Sequence, residues 1–373
     1  MQLDMSSPTT TERVFNFSAG PAVLPKMVLE QIRDELLCLP GVGSSVMEIS
    51  HRSQAFVEIL DDARRRIIDL HQIPDDHEVL FVQGGATLQN TMIPANLLVE
   101  QNQTADCIIT GTWGKKNSQD IQYYGNLNIA WDGAETNYTQ VPPNGELNLT
   151  EGAAYCHYTS NETIHGVQFH QPPAVGEAPL VVDQSSDFLS EPLAIERFGL
   201  IYACAQKNCG IAGVTTLIIR RELLERSGDR LPRYLDYAQH VKGASMLNTP
   251  PTFAIYVTGL VCKWIQNTVG GLEEMHRLNH EKANLLYDLI DNSGGFYLGH
   301  AQRSSRSLMN VVFRLESQEL DSKFVTEAAA LGMTGLKGHR SVGGIRASIY
   351  NAMPMSGVQA LHDFMRDFVQ RNG

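Results

Sequence analysis

Between Val79 and Arg220 the chain repeats one arrangement seven times: a short apolar run, then a polar or helix-like segment. The runs are "VLFV", "CIIT", "LNIAW", "YCHY", "LVV", "LIYAC" and "TTLIIR". They are rich in β-branched residues and too short for helices, so they read as buried strands. Strands of this kind separated by helical segments form a mostly parallel sheet wrapped by helices, which predicts an α/β fold. Upstream, "FVEILDDARRRIIDL" places Phe56, Leu60, Ala63, Ile67 and Leu70 on one helical stripe, a core-packing face without chemistry. After "NTPPTF" the pattern changes to two helices interrupted at Gly270-Gly271. The remainder, ending in the amphipathic "GVQALHDFMRDFVQRNG", reads as a small α+β domain. The expected division is an N-terminal arm over 1–24 partly joined to the small domain, a large domain over 25–268 and a small one over 269–373.

A length of 373 residues allows two cores. The net charge of −12 and the lack of a long basic run speak against a nucleic-acid surface, so any anionic ligand must be held by a local cluster. Six cysteines without CxxC or regular spacing suggest reduced buried thiols, with neither a disulfide framework nor a metal site expected. The start "MQLDMSSPTTTER" has no apolar signal-peptide core, and no apolar stretch approaches membrane-spanning length. These features predict a cytoplasmic protein with no membrane partner.

One lysine, Lys207, interrupts the apolar runs in "LIYACAQKNCGIAGVTTLIIRR". It lies just past a strand end, where open α/β sheets bind ligands. A lone lysine there could equally snorkel to the surface. Four other features bear on it. "VQGGATLQ" sets Gly84-Gly85 between a strand and a helix start, a way to cradle a phosphate with free N–H groups or simply a tight turn. Asp183 ends the apolar run before Lys207, 24 residues earlier. In pyridoxal phosphate (PLP) enzymes a lysine carries the cofactor and an aspartate keeps the pyridine nitrogen protonated, although Asp183 alone could be a helix cap or half of an ion pair. Trp113 in "TGTWGKKN" could stack on a flat ring or be a loop aromatic. His51 and Arg52, with His339, Arg340 and Arg346, could grip a dianionic substrate, or each could be solvated. No GxSxG elbow and no GxGxxG fingerprint is present, which leaves PLP chemistry leading among enzymes.

Taken in order, "FNFSAGPAVLP", "SVMEISHRS", "GGATLQ", "HYTSNETIHG", "AQKNCGIAG", "NTPPTF" and "KGHRSVGGIRASIYNAMP" resemble the phosphoserine aminotransferase family, from about Phe15 to the end of the chain. The resemblance implies a class V aminotransferase of PLP fold type I, built on a large domain with a seven-stranded sheet and a small C-terminal domain. It also implies a homodimer with shared active sites. Lys207 and Asp183 would be the catalytic pair, and Trp113 would stack on the cofactor ring. Thr163 would bond the ring hydroxyl, and Ala86, Thr87 and Gln206 the phosphate. Asn248 and Thr249 would reach that phosphate from the other subunit. Arg346 would take the α-carboxylate. His51, Arg52, His339 and Arg340 would hold the side-chain phosphate or carboxylate, the last two across the interface. Some members carry arginine where this chain has Thr87, and a proline where it has Ile211. The implied reaction passes the amino group of L-glutamate to 3-phosphohydroxypyruvate, giving O-phospho-L-serine and 2-oxoglutarate. A related four-carbon keto acid of vitamin B6 synthesis stays open as a second acceptor. Another class V aminotransferase, a desulfurase or an inactive relative are the alternatives.

Overall fold

The computed structural model describes residues 13–100, 102–143 and 145–373, so the first half of the expected arm lies outside the described residues. All seven apolar runs form strands of one sheet: β1 (His77–Val82), β2 (Thr104–Ile109), β3 (Asn126–Asp132), β4 (Tyr155–Thr159), β5 (Leu180–Asp183), β6 (Phe198–Cys204) and β7 (Thr215–Arg220). Their order across the sheet is β1-β7-β6-β5-β4-β2-β3. Only β7 runs against its two neighbours; the others point the same way. β4, β5 and β6 are buried along their whole length, as central strands covered on both faces must be. β3 is an edge strand and keeps polar residues exposed.

Helix α1 (Gln54–His71) packs on α5 (Thr252–Trp264) over one face of the sheet. Ser53 caps α1 by accepting the Phe56 N–H. Phe56, Leu60, Ala63 and Ile67 are fully buried, but the next buried position is His71, with Leu70 only half-buried. The stripe therefore continues at the four-residue step from Ile67 and closes on a polar ring, which packs 5.1 Å from Phe188. Between them lie α2 (Gly85–Leu97), α3 (Thr112–Asn117) and the single turn α4 (Ala205–Asn208), each following a strand directly. α5 widens into a π turn over Ile265–Val269, and Gly270 and Gly271, both at positive φ, break the chain before α6 (Leu272–Asp291).

A second hydrophobic cluster gathers α6, β8 (Leu298–Gly299), β9 (Asn310–Arg314), α7 (Gln318–Ala330), β10 (Ile345–Ser348) and α8 (Met355–Asn372) around Phe313, Phe324 and Phe368. Phe15 and Asn16 pair in parallel with Met333 and Thr334, and Phe17 belongs to this cluster. From there the chain runs back over the large sheet, where Ala22 N donates to Gln206 O at 2.9 Å. No helix among the described residues is long and apolar enough to cross a membrane.

Candidate active site

Six parallel strands deliver their carboxyl ends to one edge of the sheet, so the segments that follow β1, β2, β4, β5 and β6 converge there. Gln83 and Gly84 follow β1, Gly111 to Trp113 follow β2, Ser160 to Thr163 follow β4, and Lys207 sits on the turn after β6. Asp183 is the last residue of β5. The sequence places each catalytic type one to three residues beyond an apolar run, and the sheet brings those ends together.

Lys207 Nζ donates to Thr163 Oγ1 at 2.7 Å and stands 5.2 Å from the centre of the Trp113 ring. Burial pulls the lysine below its usual pKa, while the charge of Asp183 is the largest influence in the opposite direction. Asp183 is 5 % exposed and accepts a 2.9 Å bond from the Ser185 N–H, which fixes its carboxylate. Behind it on β4, His157 is held neutral: burial lowers its pKa to about 4.

Glu162, directly before Thr163, is a residue that the sequence reading missed. It is fully buried, and its carboxylate accepts the N–H of Trp113 (3.1 Å) and of Gly114 (2.7 Å). Burial raises its pKa to about 7 against the pull of those two N–H groups. The carboxylate thereby fixes the backbone that carries Trp113. Gly111 is required by the same contact, since a Cβ there would stand 2.5 Å from the Glu162 carboxyl carbon. Lys116 was missed too; its Nζ lies 4.6 Å from the Trp113 ring centre and adds a cation to the pocket. So was the strap over Ser18–Pro21, where Gly20 lies against the Lys207 side chain and Ala19 O accepts the Tyr350 hydroxyl at 2.7 Å.

At the glycine turn, Gly84 takes φ 90° before α2 begins, and a Cβ there would collide with Leu88. Ala86 N donates to Cys204 Sγ at 3.0 Å, so one of the expected phosphate donors already has a partner within the chain. Thr87 is exposed on the first turn of α2, and Gln206, on α4, is half-buried. Asn248 and Thr249 are exposed and lie against Gln83, whose Nε2 donates to Thr249 O at 3.0 Å.

Arg346, on β10, reaches toward this centre: its Nη1 stands 3.5 Å from Thr163 O, and its Nε is buried without a partner. His339 belongs to the hairpin that leads into β10, and burial, followed by the positive charges of Arg346, Arg340 and Lys116, depresses its pKa. It also acts on His165. His339 stands near enough to Arg346 of its own chain for the two charges to interact. Arg340 is exposed one residue further out. His51 is half-buried and Arg52 exposed, and neither side chain bonds any group of its own chain's site.

The donor set fits pyridoxal phosphate. A lysine, a buried aspartate, a ring hydroxyl acceptor at Thr163, a flat indole with an unpartnered buried Nε1, and the start of a 13-residue helix face one recess.

A fold and a site of this kind define a PLP-dependent transferase of the aminotransferase type. Residues 14–361 match the model of the family "Aminotransferase class-V", and the chain belongs to that family. It is 53% identical over 368 residues to a phosphoserine aminotransferase of Rhodopirellula baltica, covering 98% of both chains. The crystal structure of a phosphoserine aminotransferase from Bacillus circulans subsp. alkalophilus superposes with a TM-score of 0.95 at 46% identity, over 97% of this chain and 100% of that one. A PLP-bound phosphoserine aminotransferase from Trichomonas vaginalis gives 0.90 at 41% identity, over 95% and 100%.

Proposed function

We propose that the chain catalyses the reversible transfer of an amino group from L-glutamate to 3-phosphohydroxypyruvate, giving O-phospho-L-serine and 2-oxoglutarate, with pyridoxal phosphate as cofactor. The observation that carries this is Lys207 beneath Trp113, bonded to Thr163 and beside Asp183, with the free Nε of Arg346 facing the same recess. When bound, the cofactor supplies an electron sink for the pair left as the Cα proton departs.

The protein's own groups do the rest. Lys207 Nζ, lowered in pKa by burial, is neutral for more of the time than a solvated lysine, which suits it both to hold the aldehyde and to move the Cα proton as a base. Asp183 would offer its carboxylate to the ring nitrogen of the bound cofactor and keep a proton there. Trp113 would stack on the ring, and Ala86, Thr87 and Gln206 would hold the phosphate. Arg346 turns its guanidinium fork to the α-carboxylate. Lys116 and His339 lie on the same side and favour a second anionic group on the substrate. A cluster of flexible cations accepts both a phosphate and a γ-carboxylate, as a two-substrate exchange in one site requires.

The working assembly is a homodimer. His51 and Arg52, which reach nothing in their own site, are assigned to the partner's, as are Asn248 and Thr249 for the cofactor phosphate. The division into a large domain over 25–268 and a small one over 269–373 is retained, with Arg346 and His339 reaching across the division.

Stoichiometric mixing tests the reading. Holoenzyme mixed with phosphoserine, without any keto acid, should lose its yellow colour and release one equivalent of 3-phosphohydroxypyruvate, while alanine bleaches it far more slowly. Equal rates with the two amino acids would remove the phosphate-selective assignment.

A further inference from the structure

Lys282 lies on the inward face of α6, 2 % exposed, with no carboxylate among the described residues paired to it. Its Nζ donates to three main-chain carbonyls, those of Ile349 (3.0 Å), Tyr350 (2.8 Å) and Asn351 (3.4 Å). Burying an ammonium costs several kcal/mol even when it is well bonded, and a Met or Leu would fill the same space without that cost. Only the charged form supplies three N–H donors, so the arrangement uses the proton although burial lowers its pKa to about 7.

The three carbonyls belong to the residues that directly follow β10, the strand of Arg346. The same segment is tied to the other half of the site through Asn351. Its N–H donates to Asn208 Oδ1 at 3.0 Å, and Asn208 is the neighbour of Lys207. Its side chain donates to Leu189 O at 2.7 Å and accepts from Asn279 Nδ2 at 2.9 Å. Asn279 lies on α6 one turn before Lys282, so α6 grips residues 349–351 with two buried polar side chains.

We propose that Lys282 is a positioning residue: its ammonium clamps residues 349–351 against α6, and so sets the distance between Arg346 and Lys207. It touches neither substrate nor cofactor and acts through the backbone that follows β10. The inference rests on the proposed roles of Arg346 and Lys207 and deepens them. An adjoining cavity of about 270 Å³, lined by Lys282 with Trp264, Met275, Leu278 and Met353, gives the claim a distinctive test, because it admits a small amine once the lysine is shortened.

In holoenzyme, Lys282→Ala should raise KM for L-glutamate and phosphoserine about tenfold or more, the loss expected when charge-assisted bonds to buried acceptors are broken. kcat should change far less, and cofactor content should stay at wild-type level. Added ethylammonium should bring KM back toward the wild-type value, whereas tetramethylammonium, which has no N–H, should not. Lys282→Met should show the raised KM without rescue, since it fills the space and cannot donate. Asn351→Ala breaks the next link while leaving the lysine in place and should show the same KM signature. A wild-type KM in Lys282→Met or in Asn351→Ala, or a loss in Lys282→Ala that ethylammonium leaves untouched, overturns the proposal. If Lys282→Ala yields no folded holoenzyme, the other two variants decide the question. Wild-type protein without phosphoserine activity would refute the functional reading alone, because KM for L-glutamate still reports the position of Arg346.

Discussion

Glu162 gives the sharpest energetic prediction. Its carboxyl group is wholly buried, and its pKa in the folded chain is about 7 against 4.5 for a solvated glutamate. A group with a raised folded pKa binds more protons folded than unfolded between those two values, so its stabilisation is complete below about 4.5 and is lost as pH rises through about 7. Each pH unit in that window is worth roughly 1.4 kcal/mol, which makes the whole loss about 3 kcal/mol. Glu162→Gln has nearly the same shape and does not titrate. Paired denaturant titrations of the two proteins should therefore show the stability of wild type falling relative to Glu162→Gln by about 3 kcal/mol between about pH 4 and about pH 8. Asp187 and Glu191, whose pKa values burial raises to about 8 and about 7, titrate in both proteins and cancel in the difference. A difference that stays constant across this range would mean that Glu162 is not buried as an ionisable group, and its grip on the Trp113 backbone would fall with it. Glu162→Ala leaves the N–H groups of Trp113 and Gly114 without an acceptor, at about 1–3 kcal/mol each, and should loosen the indole over Lys207.

Asp183→Asn should keep cofactor content near wild type and slow amino transfer by orders of magnitude, since an amide cannot hold a protonated ring nitrogen; a near-normal rate in stopped flow would remove Asp183 from the mechanism. Arg346→Ala should weaken every amino-acid substrate, whereas Arg52→Ala should weaken phosphoserine and glutamate and spare the residual reaction of alanine; equal losses across that panel would show that the two roles are wrongly divided. Mixed dimers of Lys207→Ala with Arg52→Ala should regain phosphoserine activity, because one of the two sites is then intact, while Lys207→Ala with His339→Ala should not, both lesions being read in the site of their own chain. The reverse pattern would assign His339 to the partner's site.

The large sheet was legible because its signal is local: each strand is an apolar run long enough to be buried and too short to be a helix. The direction of β7 was not, since "TTLIIR" has the composition of a central strand whichever way it points. Asp183 and Lys207 could be singled out from their places just beyond strands, and Trp113 from its place after "CIIT". Glu162 gave no such signal. Its partners are backbone N–H groups 49 and 48 residues earlier, and backbone groups carry no identity in a sequence. Lys282 stayed hidden for the same reason, inside an amphipathic helix whose one other strongly basic residue, Arg277, is exposed. His339 and Arg340 could be singled out with Arg346 from "KGHRSVGGIR", but which subunit's site such a hairpin serves is set by how two chains pack, and that leaves no mark in a sequence.

The central claim is that Lys207 is the residue that carries the cofactor. Borohydride treatment of the holoenzyme, followed by digestion and mass mapping, tests it directly, because reduction fixes pyridoxal phosphate to whichever lysine bears it. The account predicts a single modified peptide labelled at Lys207, and none in Lys207→Ala treated alike. A label on Lys115, Lys116 or Lys242 would contradict it.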